Sequence, residues 1–190
     1  ARAFGLGRPT GVPLPHEAAG HVPDSEWKER RFGEPWQEGE TLSLSIGQGF
    51  TQVTPLQLAR MVSVVANGGR LVTPTLVKNV IPVGGEPVPE PPGLMKRVPV
   101  KPEHLELIHR GLVGVVNEPH GTARRARLPG ITVAGKTGTA QVVSLTFFKS
   151  FGGEENVPWR FRDHALFVCY APAEAPEIAV AVVVEHGGHG

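Results

Sequence analysis

Cysteine is almost absent from this 190-residue sequence, which contains only Cys169. A single cysteine excludes an internal disulfide and a zinc site built from several thiolates. Its position in the apolar run 167–170 favours a small buried strand residue over a reactive thiol.

A strong charge of either sign and long apolar runs are also missing. The formal net charge is +1 at pH 7, so the sequence carries no electrostatic footprint for nucleic acid. No apolar stretch approaches the roughly 20 residues of a membrane-spanning helix. No secretory leader opens the chain, but we do not expect Ala1 to be the start of the natural protein. We therefore expect further sequence upstream and infer no compartment from this absence.

Glycine and proline are abundant, with 24 and 19 residues. Their density in residues 1–40 predicts irregular chain laid over other elements, with one or two helical turns after Asp24. Trp27, Phe32 and Trp36 are expected to anchor this segment to a core, the alternative being a carbohydrate platform. Residues 82–92 are typical of a solvent loop or hairpin end.

Two helices are predicted with clear start signals. The first covers residues 54–66, where Thr54 is the cap, Pro55 occupies the first turn and Gln57 completes a capping box. The second covers residues 101–117. The expected buried stripes are Leu58, Met61, Val62 and Val65 in the first helix, and Leu105, Ile108, Leu112, Val115 and Val116 in the second.

Three strands are predicted at residues 131–147, 164–171 and 178–185, and the last two form an antiparallel hairpin. The fold class is therefore α+β, a mostly antiparallel sheet with helices on its faces. The last two strands are apolar on both faces, yet only two substantial helices are available to cover them. We expect covering elements beyond both ends, so that the sheet of this chain alone leaves a large apolar face exposed.

The stretch Gly135-Lys136-Thr137-Gly138-Thr139-Ala140-Gln141 interrupts an apolar strand with small, hydroxyl and charged residues. A lysine inside a strand is costly unless one side is open to a ligand. Regular alternation would place Lys136, Gly138 and Ala140 on one face and Thr137, Thr139 and Gln141 on the other.

Two chemistries fit this stretch. Residues 130–137 match the phosphate-loop pattern G-x-x-x-x-G-K-[ST], but a phosphate loop needs a helix directly after it, and here strand residues follow. The other hypothesis is the Lys-Thr-Gly motif of penicillin-recognising serine enzymes. There a cation beside hydroxyls holds a substrate carboxylate, and a strand amide points at the developing oxyanion.

Further motifs occur in order along nearly the whole chain. They are residues 4–11, Glu26-Trp27-Lys28, Arg31-Phe32, Pro35-Trp36, Ser45-Ile46-Gly47-Gln48-Gly49-Phe50, Thr54-Pro55-Leu56-Gln57, Ala66-Asn67-Gly68-Gly69, Gly121-Thr122-Ala123, residues 135–141, Arg162-Asp163-His164 and Tyr170-Ala171-Pro172. With these motifs the chain resembles class B penicillin-binding proteins, and among them the elongation type.

This resemblance implies a partial penicillin-binding or β-lactamase-like fold and an acyl-serine D,D-transpeptidase. Residues 1–190 would be the C-terminal portion of the transpeptidase domain. The family uses a Ser-x-x-Lys nucleophile motif, a Ser-x-Asn or Ser-x-Asp motif and Lys-Thr-Gly, and only the third maps onto this sequence, so the chain alone is expected to be inactive. By resemblance, Lys136 and Thr139 are catalytic, and Lys136, Thr137, Gly138 and Thr139 bind substrate.

The resemblance also implies partners and a location. The expected ligands are peptidoglycan stem peptides ending in D-Ala-D-Ala and β-lactams, with no cofactor, no metal and no nucleic acid. A membrane glycan polymerase and elongation scaffold proteins are the expected protein partners. The parent protein would be anchored by an N-terminal segment at the outer, periplasmic face of the cytoplasmic membrane. The alternatives are a penicillin-binding sensor or scaffold without turnover and, more remotely, a nucleotide-binding module.

Several other residues could be mistaken for site residues. Ser25 and Lys28 fit Ser-x-x-Lys but lie in a charged segment, so Ser25 is not expected to be the nucleophile. His186 and His189 provide two ligands where a zinc site needs three or four. His164 is expected to make a structural hydrogen bond. The turn at residues 45–51 is either a tight connection or a loop bordering a cleft.

Overall fold

A three-stranded antiparallel sheet near the C-terminal end organises the fold of this computed structural model, which describes residues 1–153 and 156–190. The helices are α1 (Ser25–Phe32), α2 (Glu38–Ser45), α3 (Pro55–Ala66), α4 (Pro102–Asn117) and α5 (Leu145–Lys149). The strands are β1 (Arg70–Val72), β2 (Asn79–Val80), β3 (Val88–Pro89), β4 (Met95–Arg97), β5 (Ala134–Ala140), β6 (His164–Ala171) and β7 (Ile178–Val184). In the described part of the chain, every helix is too short or too polar to cross a membrane.

The sheet has the strand order β5-β6-β7, and both pairs are antiparallel. Lys136 lies opposite Val168, and Thr139 lies opposite Ala165. The predicted α+β class and the hairpin between the last two strands are confirmed. The region predicted as a solvent loop or hairpin end, residues 82–92, includes the exposed β3 strand of the small β2–β3 hairpin, which agrees with the hairpin alternative.

The predicted strand at residues 131–147 is wrong in extent, because β5 covers only Ala134–Ala140. The apolar run after it folds as α5, which Ser144 caps by accepting a hydrogen bond from the Phe147 backbone amide at 3.2 Å. The Phe147 ring packs edge-on against Phe151 and Phe161. A local cap and an aromatic cluster therefore override the strand propensity of this run.

The helix at residues 54–66 begins as predicted. Thr54 Oγ1 accepts from the Gln57 amide, and Gln57 Oε1 accepts from the Thr54 amide, which completes the capping box. Gln57 is also buried, and its Nε2 donates to the carbonyls of Arg8 and Ala19 at 2.8 Å each. The cap of α3 therefore also fixes the irregular N-terminal chain.

The helix at residues 101–117 is confirmed as Pro102–Asn117, with Leu105 and Val116 buried. The inclusion of Ile108 in its buried stripe is wrong, since Ile108 is 42% exposed. His109 occupies the stripe instead, four residues after Leu105, and its Nδ1 lies 2.7 Å from the Tyr170 hydroxyl. The polar partner on β6 explains why a histidine lies where an apolar residue was expected.

Apart from a 3₁₀ turn at Arg2–Phe4, α1 and the start of α2, the N-terminal 40 residues are irregular, and α2 was not predicted. Asp24 caps α1 by accepting from the Trp27 amide at 2.8 Å, as expected. The rings of Trp27 and Phe32 pack on Phe50 and form a local cluster outside the clusters around the sheet. The charged sequence of α1 accounts for this peripheral position.

The sheet is covered best near the β6–β7 hairpin. Val62 of α3 packs there with Ala134, Tyr170 and Ala173. Alternate β6 residues, Phe167 and Cys169, pack instead with the cluster of Val116, Ala123 and Val133.

Farther along β7 the cover ends, and Val182, Val183 and Val184 are 43%, 37% and 52% exposed. The predicted exposure of apolar sheet surface is thus confirmed for β7. A groove of about 490 Å³ opens beside these strands, and its lining includes Thr122, Thr137, Ala165, Phe167, Val182 and Val184.

Candidate active site

The Lys-Thr-Gly residues lie in the middle of β5, at one edge of the sheet. Gly135, directly before them, allows this strand to approach β6. A Cβ at position 135 would lie 2.7 Å from the Phe167 ring and 2.8 Å from the Val168 carbonyl oxygen. Gly138 has more room, since a Cβ there would be 3.4 Å from Leu166. Packing therefore demands a glycine at 135, whereas at 138 the small residue leaves space beside the strand.

The backbone groups of Thr137 and Thr139 face the open edge of β5. In an antiparallel pair the N–H and C=O of one residue point to the same side of the strand, and successive residues alternate. Gln48 Nε2 donates to the Thr139 carbonyl at 3.1 Å, and Lys136 Nζ donates to the Thr137 carbonyl at 2.8 Å. Since these carbonyls point away from β6, the amides of the same two residues point away from it as well.

The ammonium of Lys136 meets the hydroxyl residues despite the alternation of the strand. Its Nζ lies 3.5 Å from Thr137 Oγ1. Lys136 and Thr137 occupy positions on opposite faces of the strand, as predicted. Their functional groups still meet, because the long lysine side chain reaches around the free edge of β5. Cation and hydroxyl are therefore adjacent, as recognition of a carboxylate requires.

The glycine-punctuated turn at residues 45–50 borders this edge. Gly47 and Gly49 have φ values of 75° and 77°, so the chain reverses on both sides of Gln48. The Gln48 backbone amide donates to the Ser43 carbonyl at 2.9 Å. These contacts aim the Gln48 side chain at Thr139, 91 residues away in sequence. Of the two interpretations of this turn, the geometry favours a loop bordering a cleft.

Thr122 is a second residue that the sequence did not identify as part of the site. Its Oγ1 lies 3.1 Å from Thr137 Oγ1. The sequence predicted only a turn at Gly121-Thr122-Ala123. The signal that could have identified it is a hydroxyl residue inside one of the ordered motifs.

The positions and contacts of Ser25 and Lys28 do not allow them to act as a catalytic pair. Ser25 is exposed at the first position of α1, whereas Lys28 is buried. Lys28 Nζ donates to Glu40 Oε2 at 2.8 Å and lies 3.6 Å from Glu34 Oε2. The hydrogen bond that Lys28 donates to Glu40 raises the pKa of Lys28, and the same bond lowers the pKa of Glu40. An ammonium held in this way connects α1 to α2 and is not available as a base.

The phosphate-loop hypothesis does not fit the local backbone. Lys136 and Thr137 are interior residues of β5, which continues as strand to Ala140. A phosphate loop would begin a helix at this point, because helix-terminal amides bind the anion.

The histidines at the end of the sheet make structural contacts. His164 Nδ1 accepts a hydrogen bond from the His186 backbone amide at 2.9 Å, so the structural hydrogen bond expected for His164 is confirmed. His186 Nδ1 lies 3.0 Å from the Arg162 carbonyl oxygen. Cys169 lies inside β6, and burial raises the pKa of its thiol, which agrees with a packing residue.

Sequence comparison matches the whole chain to one family. The profile described as "Penicillin binding protein transpeptidase domain" matches residues 1–190. The chain is 41% identical over 189 residues to the peptidoglycan D,D-transpeptidase MrdA of Acinetobacter baumannii, covering 100% of this chain and 28% of that protein. It is 38% identical over 188 residues to the protein of the same name from Haemophilus influenzae, covering 98% and 29%. The chain thus spans under a third of the length of these curated relatives.

Solved structures agree with this result. Penicillin-binding protein 2 of Helicobacter pylori, in a complex with MreC, superposes with a TM-score of 0.81 at 34% identity over 100% of this chain and 31% of that chain. Penicillin-binding protein 2 of Pseudomonas aeruginosa, in complex with WCK 5153, superposes with a TM-score of 0.78 at 39% identity over 100% and 37%.

Proposed function

This chain belongs to the penicillin-binding protein transpeptidase family, and we therefore propose that it is part of a peptidoglycan D,D-transpeptidase that cross-links stem peptides during cell-wall elongation. The resemblance to class B members, and within them to the penicillin-binding protein 2 type, is confirmed. We place residues 1–190 in the C-terminal portion of the transpeptidase domain, with the Ser-x-x-Lys serine supplied by an upstream segment.

The observation that carries this proposal is the open edge of β5. Thr137 and Thr139 present their backbone groups there, with the Lys136 ammonium beside them. In the proposed reaction the Thr137 and Thr139 hydroxyls bind the terminal carboxylate of D-Ala-D-Ala, or that of a β-lactam. The Thr139 amide donates to the carbonyl oxygen as negative charge develops on it, and the amide of the nucleophilic serine is the second donor.

Lys136 contributes a positive charge beside the hydroxyls that bind the substrate carboxylate. Its ammonium lies against the Thr137 carbonyl and hydroxyl, so it orders the carboxylate-binding side of the strand. In addition, Lys136 would connect to the proton network of the serine. Gly138 lets the substrate backbone approach the strand.

The test is acylation of the full-length protein by a fluorescent penicillin, followed by a D,D-transpeptidase assay. Wild type is expected to label and to form cross-links. Lys136→Ala is expected to label at least about 100-fold more slowly, the loss typical of a group that stabilises the transition state electrostatically. Lys149→Ala, on exposed α5, is the matched control and is expected to label like wild type. Labelling without any cross-linking would instead favour a non-catalytic sensor or scaffold.

Residues 1–190 alone are expected to remain unlabelled in the same assay. Labelling of this segment that disappears with Ser25→Ala would contradict both the proposed position of the nucleophile and the structural role of Lys28. An ATP titration with magnesium should show no binding, because β5 lacks the backbone turn that cradles phosphate.

The partners follow from the same proposal. The H. pylori relative was solved in complex with MreC, which supports an elongation scaffold protein as a partner of the full-length protein. A membrane glycan polymerase is the second proposed partner. The proposed location is the outer face of the cytoplasmic membrane, where the peptidoglycan substrate lies, with an N-terminal anchor outside residues 1–190.

A further inference from the structure

Thr122 and Thr137 form a hydroxyl pair at the side of the candidate active site, with their Oγ1 atoms 3.1 Å apart. We propose that Thr122 is a positioning residue that turns the Thr137 hydroxyl proton toward the substrate carboxylate. The inference rests on the proposed function, in which Thr137 binds that carboxylate.

The backbone holds Thr122 in place on both sides. A Cβ at Gly121 would clash with the carbonyl oxygens of Gly114 and Val115, so only glycine lets the chain lie this close to the end of α4. The amide of Ala123 donates to the Val115 carbonyl at 3.0 Å, and Ala123 is only 5% exposed. Thr122 therefore projects from a fixed turn, although its own side chain is exposed.

The turn and β5 are also fixed relative to each other. Asn117, the last residue of α4, donates its Nδ2 to the Val113 carbonyl at 2.7 Å and to the Val133 carbonyl at 2.8 Å. Val133 directly precedes β5, so α4 connects the turn that carries Thr122 to the strand that carries Thr137. The contact between the two hydroxyls is thus set by buried packing nearby.

The number of protons that the two hydroxyls can donate decides the role of the pair. A threonine hydroxyl has one proton and two lone pairs. If Thr137 gave its proton to Thr122, it could offer a carboxylate only lone pairs, and these would repel it. When Thr122 donates to Thr137, and Lys136 Nζ approaches the same oxygen at 3.5 Å, both neighbours supply protons. The Thr137 proton is then left for the ligand, and the chain of donors strengthens that hydrogen bond.

Both threonines line the groove of about 490 Å³ beside β5, together with Arg124 and Arg125. Both arginines are exposed, so they give this groove a positive rim. An anionic carboxylate is therefore the ligand that the surroundings of the two hydroxyls favour.

The experiment compares acylation of the full-length protein by benzylpenicillin and by its methyl ester, which lacks the anionic carboxylate. Thr122→Val keeps the side-chain shape and removes the hydroxyl. Loss of one ordinary hydrogen bond changes an equilibrium by about 3- to 10-fold, so we expect weaker prior binding of benzylpenicillin by this factor, with little change in the acylation step. The ester should react with wild type and variant at the same rate, and Thr122→Ser should restore wild-type behaviour.

The outcomes separate the inference from the function it rests on. If wild type is not acylated by benzylpenicillin, the proposed function fails. If wild type is acylated and Thr122→Val equals it, or if the variant slows both compounds equally, the positioning role is overturned. Thr75→Val, at another exposed threonine, is the matched control. Thermal unfolding of each variant, with Thr122→Ala as a second hydroxyl-free variant, identifies any loss of folding.

Discussion

Gln48 illustrates how one side chain can hold the edge of a strand. Its Nε2 donates to the Thr139 carbonyl, and the two flanking glycines turn the chain so that the side chain reaches β5. The Thr139 amide faces the same edge, so Gln48 fixes the group proposed to donate to the oxyanion. In the proposed site Gln48 would therefore act through the strand and not on the substrate.

Gln48→Met is expected to slow acylation of the full-length protein by about 3- to 10-fold, because the removed donor leaves the Thr139 peptide less ordered. Stopped-flow measurement of fluorescent penicillin labelling checks this rate. Gln52→Met is the control, since the Gln52 side chain is exposed four residues farther along. Equal rates for Gln48→Met and wild type would show that the β5 edge is held without this contact.

At the scale of elements, α3 is the helix whose start fixes the largest part of the N-terminal chain. Gln57 Oε1 accepts from the Thr54 amide, and its Nε2 donates to Arg8 and Ala19. Thr54→Ala removes only the side-chain cap of the helix. Gln57→Ala removes the partner of three backbone groups, the Thr54 amide and the carbonyls of Arg8 and Ala19.

We therefore expect Gln57→Ala to lower the free energy of unfolding by about 3 kcal/mol, since the side chain makes three hydrogen bonds to the backbone and each contributes about 1 kcal/mol. Thr54→Ala should cost about 1 kcal/mol, the usual value for a helix cap. Urea unfolding of both variants gives the comparison. Similar costs for the two changes would mean that the bonds to Arg8 and Ala19 contribute little.

Elements with local signals were predictable from the sequence, and those that depend on distant contacts were not. The capping box of α3 and the apolar run of β7 are written in consecutive residues, and both were predicted correctly. The end of β5 depends on a cap at Ser144 and on rings as distant as Phe161, so the strand was predicted too long.

The residues of the candidate site were predicted or missed for the same reason. Lys136, Thr137 and Thr139 were predicted because they form one continuous motif. Gln48 and Thr122 were missed as individual site residues, since their roles arise from hydrogen bonds to residues 91 and 15 positions away. Nothing in a single sequence reports the distance between such residues.

At the scale of the whole molecule, hydrogen-bonded carboxylates hold parts of the N-terminal segment together. A hydrogen bond from Lys28 lowers the pKa of Glu40, the Trp27 amide lowers that of Asp24, and hydrogen bonds from Thr10 lower that of Glu17. A carboxyl group with a lowered pKa in the folded state stabilises that state above its unfolded pKa. This stabilisation is lost as the pH falls through the folded value.

Stability is therefore expected to decline below about pH 4.5, the ordinary pKa of glutamate, and residues 1–50 should loosen first. Urea midpoints of wild type and Glu40→Gln between pH 7 and pH 3 check this. The variant should be less stable at pH 7, and its deficit should shrink as the pH falls. A deficit that stays constant down to pH 3 would contradict the role assigned to the Lys28–Glu40 pair.

The two outer strands of the sheet differ in their tendency to self-associate. A free strand edge is a template for pairing with another chain, and charged residues or covering loops limit this pairing. β5 has both protections, in Lys136 and in the turn that carries Gln48. β7 is apolar throughout, and within the described residues it pairs with β6 alone. Aggregation of this chain in isolation would therefore begin by β7 pairing with β7 of a second copy, and the β5 edge would stay free.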